Sequence, residues 1–214
     1  MNDDLTLHGF FNSSASYRVR IALNLKGLRW MHVGVNIREG EQRAPAYRSL
    51  NPATLVPTLV HGDHVLSQSM AIIDYLDRLQ PEPLLIPLGG KSRDRALEIA
   101  YLVACDVHPV NNLRVLKYLT TSLDANDAQK AQWVHHWIEA GFDAIEALIA
   151  GHRWCVGDEP SIADCCLIPQ VANARRAGVD ISRWPRIARV DVHASAIPAF
   201  ADAVPSRQPD FVSP

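Results

Sequence analysis

The 214-residue sequence predicts a two-domain protein: an α/β domain over residues 1–81, a linker over 82–90 and an all-α domain over 91–214. Three observations carry this division. The first eighty residues alternate between short apolar, β-rich runs and stretches with helical spacing. The stretch Pro81-Glu82-Pro83-Leu84-Leu85-Ile86-Pro87-Leu88-Gly89-Gly90 is rich in proline and glycine, a linker composition. Beyond it the alternation stops and helical periods dominate.

The run Leu5-Thr6-Leu7-His8-Gly9-Phe10-Phe11 has the length and alternation of a strand. It leads into Asn12-Ser13-Ser14-Ala15-Ser16-Tyr17-Arg18-Val19-Arg20-Ile21-Ala22-Leu23, where three serines stand at the start of a helix marked by Val19, Ala22 and Leu23. Lys26 in the last turn and Gly27 beyond it are the usual stop. Serine is among the best N-caps, so capping alone accounts for serines here, and Ser14 and Ser16 are expected to cap the helix if Ser13 is lost. A helix start that opens off a strand also favours a bound anion.

Arg29–Val35 reads as a second strand, and the polar residues 38–50, broken by Gly40 and Pro45, as a loop with a short helix. Pro57 stands before the apolar run Thr58-Leu59-Val60, a position a strand tolerates. His61-Gly62-Asp63-His64 suggests a metal pair, but no other ligands stand nearby, so a turn into a short strand at Val65-Leu66 explains it better and no metal is expected. Gln68 and Ser69 then precede a helix carried by Met70, Ile72, Ile73, Leu76 and Leu79 and stopped by Pro81.

In the second half, helices are expected near 91–119, 127–150, 161–177 and 186–196. His108 precedes Pro109 inside the first of these, where a kink is expected. Asn126 and Asp127 suit an N-cap and Gly151 a C-cap. Ser161-Ile162-Ala163-Asp164 has capping-box spacing, which points to folding rather than chemistry. Arg175 and Arg176 are adjacent, so in a helix they point about a hundred degrees apart and only one can face a given site.

Composition excludes several functions. A net charge of −2 with scattered cations gives no electrostatic footprint for nucleic acid. No apolar run is long enough to span a membrane. Met1-Asn2-Asp3-Asp4 is acidic and lacks the basic and apolar regions of a signal peptide, so a cytoplasmic protein is expected. Cys105, Cys155, Cys165 and Cys166 make no C-x-x-C and read as four small buried apolar side chains.

The serine run with R-x-R-I-A-L behind it resembles the signature of zeta-class glutathione transferases. So do V-P-T-L at 56–59, Q-S-x-A-I-I-D-Y-L at 68–76, the stretch 155–164, Pro169–Ala174 and Arg207-Gln208-Pro209-Asp210. The resemblance implies a thioredoxin-like domain followed by an all-helical one, the glutathione transferase fold, in a homodimer with glutathione as cofactor. It implies a cis peptide at Val56-Pro57. It also implies the function, cis–trans isomerisation of maleylacetoacetate or maleylpyruvate in aromatic catabolism, in which glutathione thiolate adds to the cis double bond, the bond rotates and the thiol leaves.

On this resemblance Ser13, with Ser14 beside it, steadies the thiolate, which nearby donors and positive potential keep ionised. Gln68 and Ser69 hold the γ-glutamyl carboxylate, Val56 offers its backbone, and Gln42, His108 and Asn112 reach glutathione. Arg176 anchors a carboxylate of a small dicarboxylate substrate through the planar arginine fork, with Arg114 on the same side. The sequence departs from the family at Asn12, where many members have arginine, and at Ala15, where many have cysteine. Asn12 can still donate two hydrogen bonds to a substrate carboxylate. The rivals are a general glutathione transferase or peroxidase, disfavoured by the arginines, and a non-catalytic binding module, disfavoured by the presence of Ser13.

Overall fold

The structure, a computed structural model, describes residues 5–213, so the acidic Met1–Asp4 segment lies outside the described residues. By its internal contacts the chain divides into two compact units, Met1–Leu85 together with Ser195–Pro214, and Ile86–Ala194.

In the first unit the strands are β1 (Leu5–Gly9), β2 (Trp30–Gly34), β3 (Thr58–His61) and β4 (His64–Ser67), and they form one sheet in the order β2-β1-β3-β4. β1 and β2 run parallel, with Leu5 opposite Trp30, and α1 (Ser14–Leu25) makes the crossover. β3 lies antiparallel to β1, and β4 to β3. The turn expected at His61–His64 closes the β3–β4 hairpin, whose last paired residues are His61 and His64. A 3₁₀ turn (Glu41–Arg43) and α2 (Pro45–Leu50) fill the expected loop, and α3 (Ser69–Leu79) follows β4. The Val56–Pro57 peptide is cis, as the resemblance implies, and Glu82–Pro83 is cis too.

Leu5, Leu7 and Leu59 from the sheet and Ile72, Ile73 and Leu76 from α3 form the core with α1. Helix α1 is buried on nearly every side from Ser14 to Leu23 and packs on α3 and on α9 (Pro198–Ala201). Burying each such aliphatic side chain contributes about 1.5–3 kcal/mol. Residues 195–213, counted with the helical half in the sequence, join this unit because they satisfy polar groups of α1. Arg20 Nε donates to the carbonyl of Ala203 at 2.9 Å, and Asn24 Nδ2 to that of Ala199 at 2.9 Å.

Lys26 differs from an ordinary exposed last-turn cation. It is buried, with Nζ 2.5 Å from Asp77 Oδ1, and it donates to the carbonyls of Gln80 and Pro83. Asp77 Oδ1 also accepts from the Leu85 amide at 2.9 Å, so the first residues of the linker are fastened to the unit.

The second unit holds α4 (Gly90–Tyr101), α5 (Leu113–Ser122), α6 (Asp127–Leu148), α7 (Ile162–Arg176) and α8 (Pro185–Ser195). The helix expected over 91–119 is not continuous. After α4 the chain widens into a π turn over Leu102–Val107, passes through a 3₁₀ turn at Pro109–Asn111 and restarts at α5. The His108 amide reaches back five residues to the Val103 carbonyl at 2.9 Å, and Pro109 has no N–H to continue the ladder. Across from it stands Gly141 of α6. A Cβ there would lie 2.1 Å from Val107 Cγ2, so any larger residue would force Val107 on the wide turn to shift.

That turn also corrects the reading of the cysteines. Val103 and Val107 face inward, which leaves Cys105 exposed between them, while Cys155, Cys165 and Cys166 are buried. Both expected caps form capping boxes, Asn126 with Gln129 and Ser161 with Asp164. Gly151 is not a C-cap: α6 closes at Ile149, and a Cβ on Gly151 would meet the Trp154 carbonyl oxygen at 2.2 Å.

Candidate active site

In the first unit two helix starts carry the candidate residues. Ser13 is the N-cap of α1, in extended backbone, and its Oγ accepts from the Ser16 amide at 3.2 Å. That bond uses a lone pair and leaves the hydroxyl proton for a second partner. The cap is Ser13's alone. Ser14 is already the first helical residue, and Ser16 Oγ turns back to the Phe10 amide at 3.4 Å, so with Ser13 in place neither serine shares the cap. The turn behind Ser13 closes through its own amide, which donates to the Phe10 carbonyl at 2.9 Å.

Gln68 is the N-cap of α3, with φ 72°, and makes no side-chain cap bond. A non-glycine residue held there costs on the order of 1–3 kcal/mol, a strain that clusters at ligand clamps. Ser69 follows, buried, and its Oγ accepts from Arg18 Nη1 at 3.2 Å. Arg18 is 2% exposed, and its Nε and Nη2 have no hydrogen-bond partner among the described residues. Gln42, on the 3₁₀ turn, is buried with Oε1 likewise unpaired, and Val56 lies just ahead of the strand ladder at the cis peptide. An uncapped helix start, an unsatisfied buried guanidinium and a buried unpaired amide oxygen fit a bound peptide that carries a carboxylate.

In the second unit His108 is half-buried at the end of the π turn, and Asn112 is the N-cap of α5, its Oδ1 accepting from the Arg114 amide at 3.2 Å. Its amide nitrogen is the part left for a ligand. Arg114 is exposed in the first turn of α5. Arg175 and Arg176 end α7, both exposed, and they diverge as adjacent helical residues must. Arg175 Nη2 lies 2.6 Å from Asp191 Oδ2 on α8, whereas Arg176 donates to Asn173 Oδ1 one turn back. Burial pushes the Asp191 carboxyl above its ordinary value, and Arg175 pulls it down. Arg175 is thereby a structural cation.

Asn12 is half-buried beside Ser13. The sequence reading passed over Arg18 and the arginine two residues on, Arg20, which is fully buried and donates to the carbonyls of Phe10 and Phe11. The available signal was their place in a helix whose other residues are core.

The sequence model of the glutathione S-transferase N-terminal domain matches residues 12–79, and that of the C-terminal domain residues 117–190. A probable maleylacetoacetate isomerase of Vibrio cholerae is 45% identical over 96% of this chain and 98% of its own length. A holo structure of maleyl pyruvate isomerase, described as a bacterial glutathione S-transferase in zeta class, superposes with a TM-score of 0.94 at 43% identity, over 97% of this chain and all of that one. A maleylacetoacetate isomerase of Methylobacterium extorquens AM1, solved with bound malonate and GSH, gives a TM-score of 0.92 at 33% identity, over 97% of this chain and all of that one.

Proposed function

The chain belongs to the zeta class of the glutathione S-transferase family, and from that premise we propose that it is a glutathione-dependent cis–trans isomerase of maleylacetoacetate or maleylpyruvate, working as a cytoplasmic homodimer. The observation that carries this reading is end-to-end identity of 43–45% with proteins of those names. Glutathione held at the helix starts of the first unit would supply a thiolate nucleophile for reversible addition to the cis carbon–carbon double bond.

This chain's own residues do the rest. The Ser13 hydroxyl, already accepting from the Ser16 amide, donates a hydrogen bond to the thiolate and keeps it ionised, and the N-terminus of α1 adds positive potential. Ser14 contributes at the same helix start. Gln68 and Ser69 take the γ-glutamyl carboxylate at the uncapped start of α3, the Val56 backbone pairs with the cysteinyl part, and Gln42, His108 and Asn112 complete the grip. Arg176 and Arg114 hold the substrate's carboxylates and offset the negative charge that builds up as the double bond opens. Asn12 donates to the same carboxylates from its amide. Malonate in the Methylobacterium enzyme, itself a dicarboxylate, supports a dianionic substrate.

An isomerisation assay on maleylacetoacetate and maleylpyruvate, each with and without glutathione, tests the reading. Turnover of at least one, dependent on glutathione, is expected. Conjugation of an uncharged aryl halide with no isomerisation of either acid would favour a general transferase instead.

A further inference from the structure

The sequence motif Arg207-Gln208-Pro209-Asp210 has no place in the chemistry above, yet in the fold it reaches the loop that carries Ser13. Asp210 Oδ2 accepts from the Phe11 amide at 2.9 Å, and its Oδ1 lies 2.8 Å from His32 Nε2 on β2. Gly34 of β2 makes room for this approach, since a Cβ there would stand 2.9 Å from the Cβ of Asp210. The next residue, Phe211, packs edge-on against the Phe11 ring at 5.4 Å. Behind them Gln208 is buried and anchors the segment by donating to the carbonyls of Asp202 and Val204.

The same short loop is gripped from the other side by Arg20. Its Nη2 donates to the Phe11 carbonyl at 3.0 Å and its Nη1 to the Phe10 carbonyl at 3.4 Å, while Nε holds Ala203. The Phe10 carbonyl is also the one that the Ser13 amide bonds. Every backbone polar group at Phe11, and the carbonyl that closes the turn into Ser13, is therefore held by either Arg20 or Asp210.

We infer that residues 208–211 form a strap that sets the position of the Ser13 hydroxyl, with Asp210 as the positioning residue. Asp210 touches no reacting atom; it acts through the Phe11 amide. As far as the thiolate is concerned, the inference rests on the role given to Ser13 above.

Two measurements test it, one independent of glutathione. In Asp210→Ala the Phe11 amide loses its acceptor, and amide hydrogen exchange in the glutathione-free protein should speed up at least about tenfold at Phe11 and Ser13, with β3 and β4 unchanged. Asp210→Asn keeps an oxygen of the same shape and should retain most of the protection. Unchanged exchange at residues 11–13 in a folded Asp210→Ala protein would overturn the strap, whatever Ser13 does. Should Asp210→Ala not fold, the Asn variant decides: protection at Phe11 and Ser13 like that of the wild type is expected, and a loss spread evenly over the unit would overturn positioning.

The second measurement is ultraviolet titration of bound glutathione. Its thiol pKa should rise by about one unit in Asp210→Ala, with glutathione affinity within twofold, because Gln68 and Ser69 lie on another helix. Ser13→Ala is the reference. A raised pKa in Ser13→Ala but not in Asp210→Ala overturns the strap, whereas no rise in Ser13→Ala overturns the serine reading and leaves the exchange result to stand by itself. Lys26→Met, which breaks a buried ion pair at the far end of α1, must not reproduce the shift. If it does, general loosening of the unit explains the effect and the positioning role is wrong.

Discussion

One oxygen of Ser13 has two duties, and they can be separated by substitution. As N-cap it accepts from the Ser16 amide, and as donor it faces the thiolate in the proposed reaction. Ser13→Ala forfeits both, with about 1 kcal/mol lost from the cap and about 1.5–3 kcal/mol from the charge-assisted bond, so kcat/KM should fall roughly tenfold to a hundredfold or more. Glycine caps nearly as well as serine, so Ser13→Gly should recover most of the melting temperature and none of the activity. Recovery of activity by glycine would transfer the role to the backbone of α1. Arg176 gives a second contrast at this scale. Arg176→Met removes the carboxylate fork while keeping bulk, and isomerase kcat/KM should fall roughly tenfold to a hundredfold with glutathione affinity almost constant. Activity on an uncharged aryl halide should hold or rise, and an equal loss of both activities would remove Arg176 from the substrate site.

At the scale of elements, the end of α7 and the body of α8 are joined by Arg175 and the buried carboxylate of Asp191. Arg175→Met should leave the isomerase reaction alone and lower stability, by about 1–2 kcal/mol because half of the arginine is in solvent. The pH dependence has a definite sign. Burial already raises Asp191 above its ordinary 3.8, and removing Arg175 raises it further. A protonated Asp191 needs no counter-charge, so the variant should match wild type in acid, where Asp191 is protonated in both, and lose ground as pH rises through the raised pKa. Denaturant midpoints at acid and neutral pH check this. A deficit that is larger in acid would contradict the pair. Elements specified by adjacent residues were legible in the sequence: the cap at Ser13, the capping boxes at Asn126 and Ser161, and the turn at His61–His64. The break over 102–112 was legible only as a proline kink. Its packing relies on Gly141, a residue on another helix whose missing side chain admits Val107, and no local spacing records that. Likewise Arg18 and Arg20 look like surface charges until the helix around them is seen to be core.

For the whole molecule, both ends of the chain belong to one unit. A composition shift marks where a linker begins, but it cannot say that the chain later returns, since the return is made by side-chain donors of Arg20 and Asn24 reaching the carbonyls of Ala203 and Ala199. A chain stopped after Ala194 should therefore lose amide protection across residues 5–85 and keep it across 86–194. Hydrogen exchange read by mass spectrometry separates the two, and preserved protection in both would mean that the C-terminal residues are an ornament on a unit complete without them. The same order of assembly matters during synthesis. Residues 195–211 leave the ribosome only after the entire helical unit, so the nascent chain carries a finished second half while Arg20 still awaits its carbonyl and the Phe11 amide its carboxylate. A chain cut short before Gln208 would pass for folded in its helical half yet present its serine on an unfastened loop.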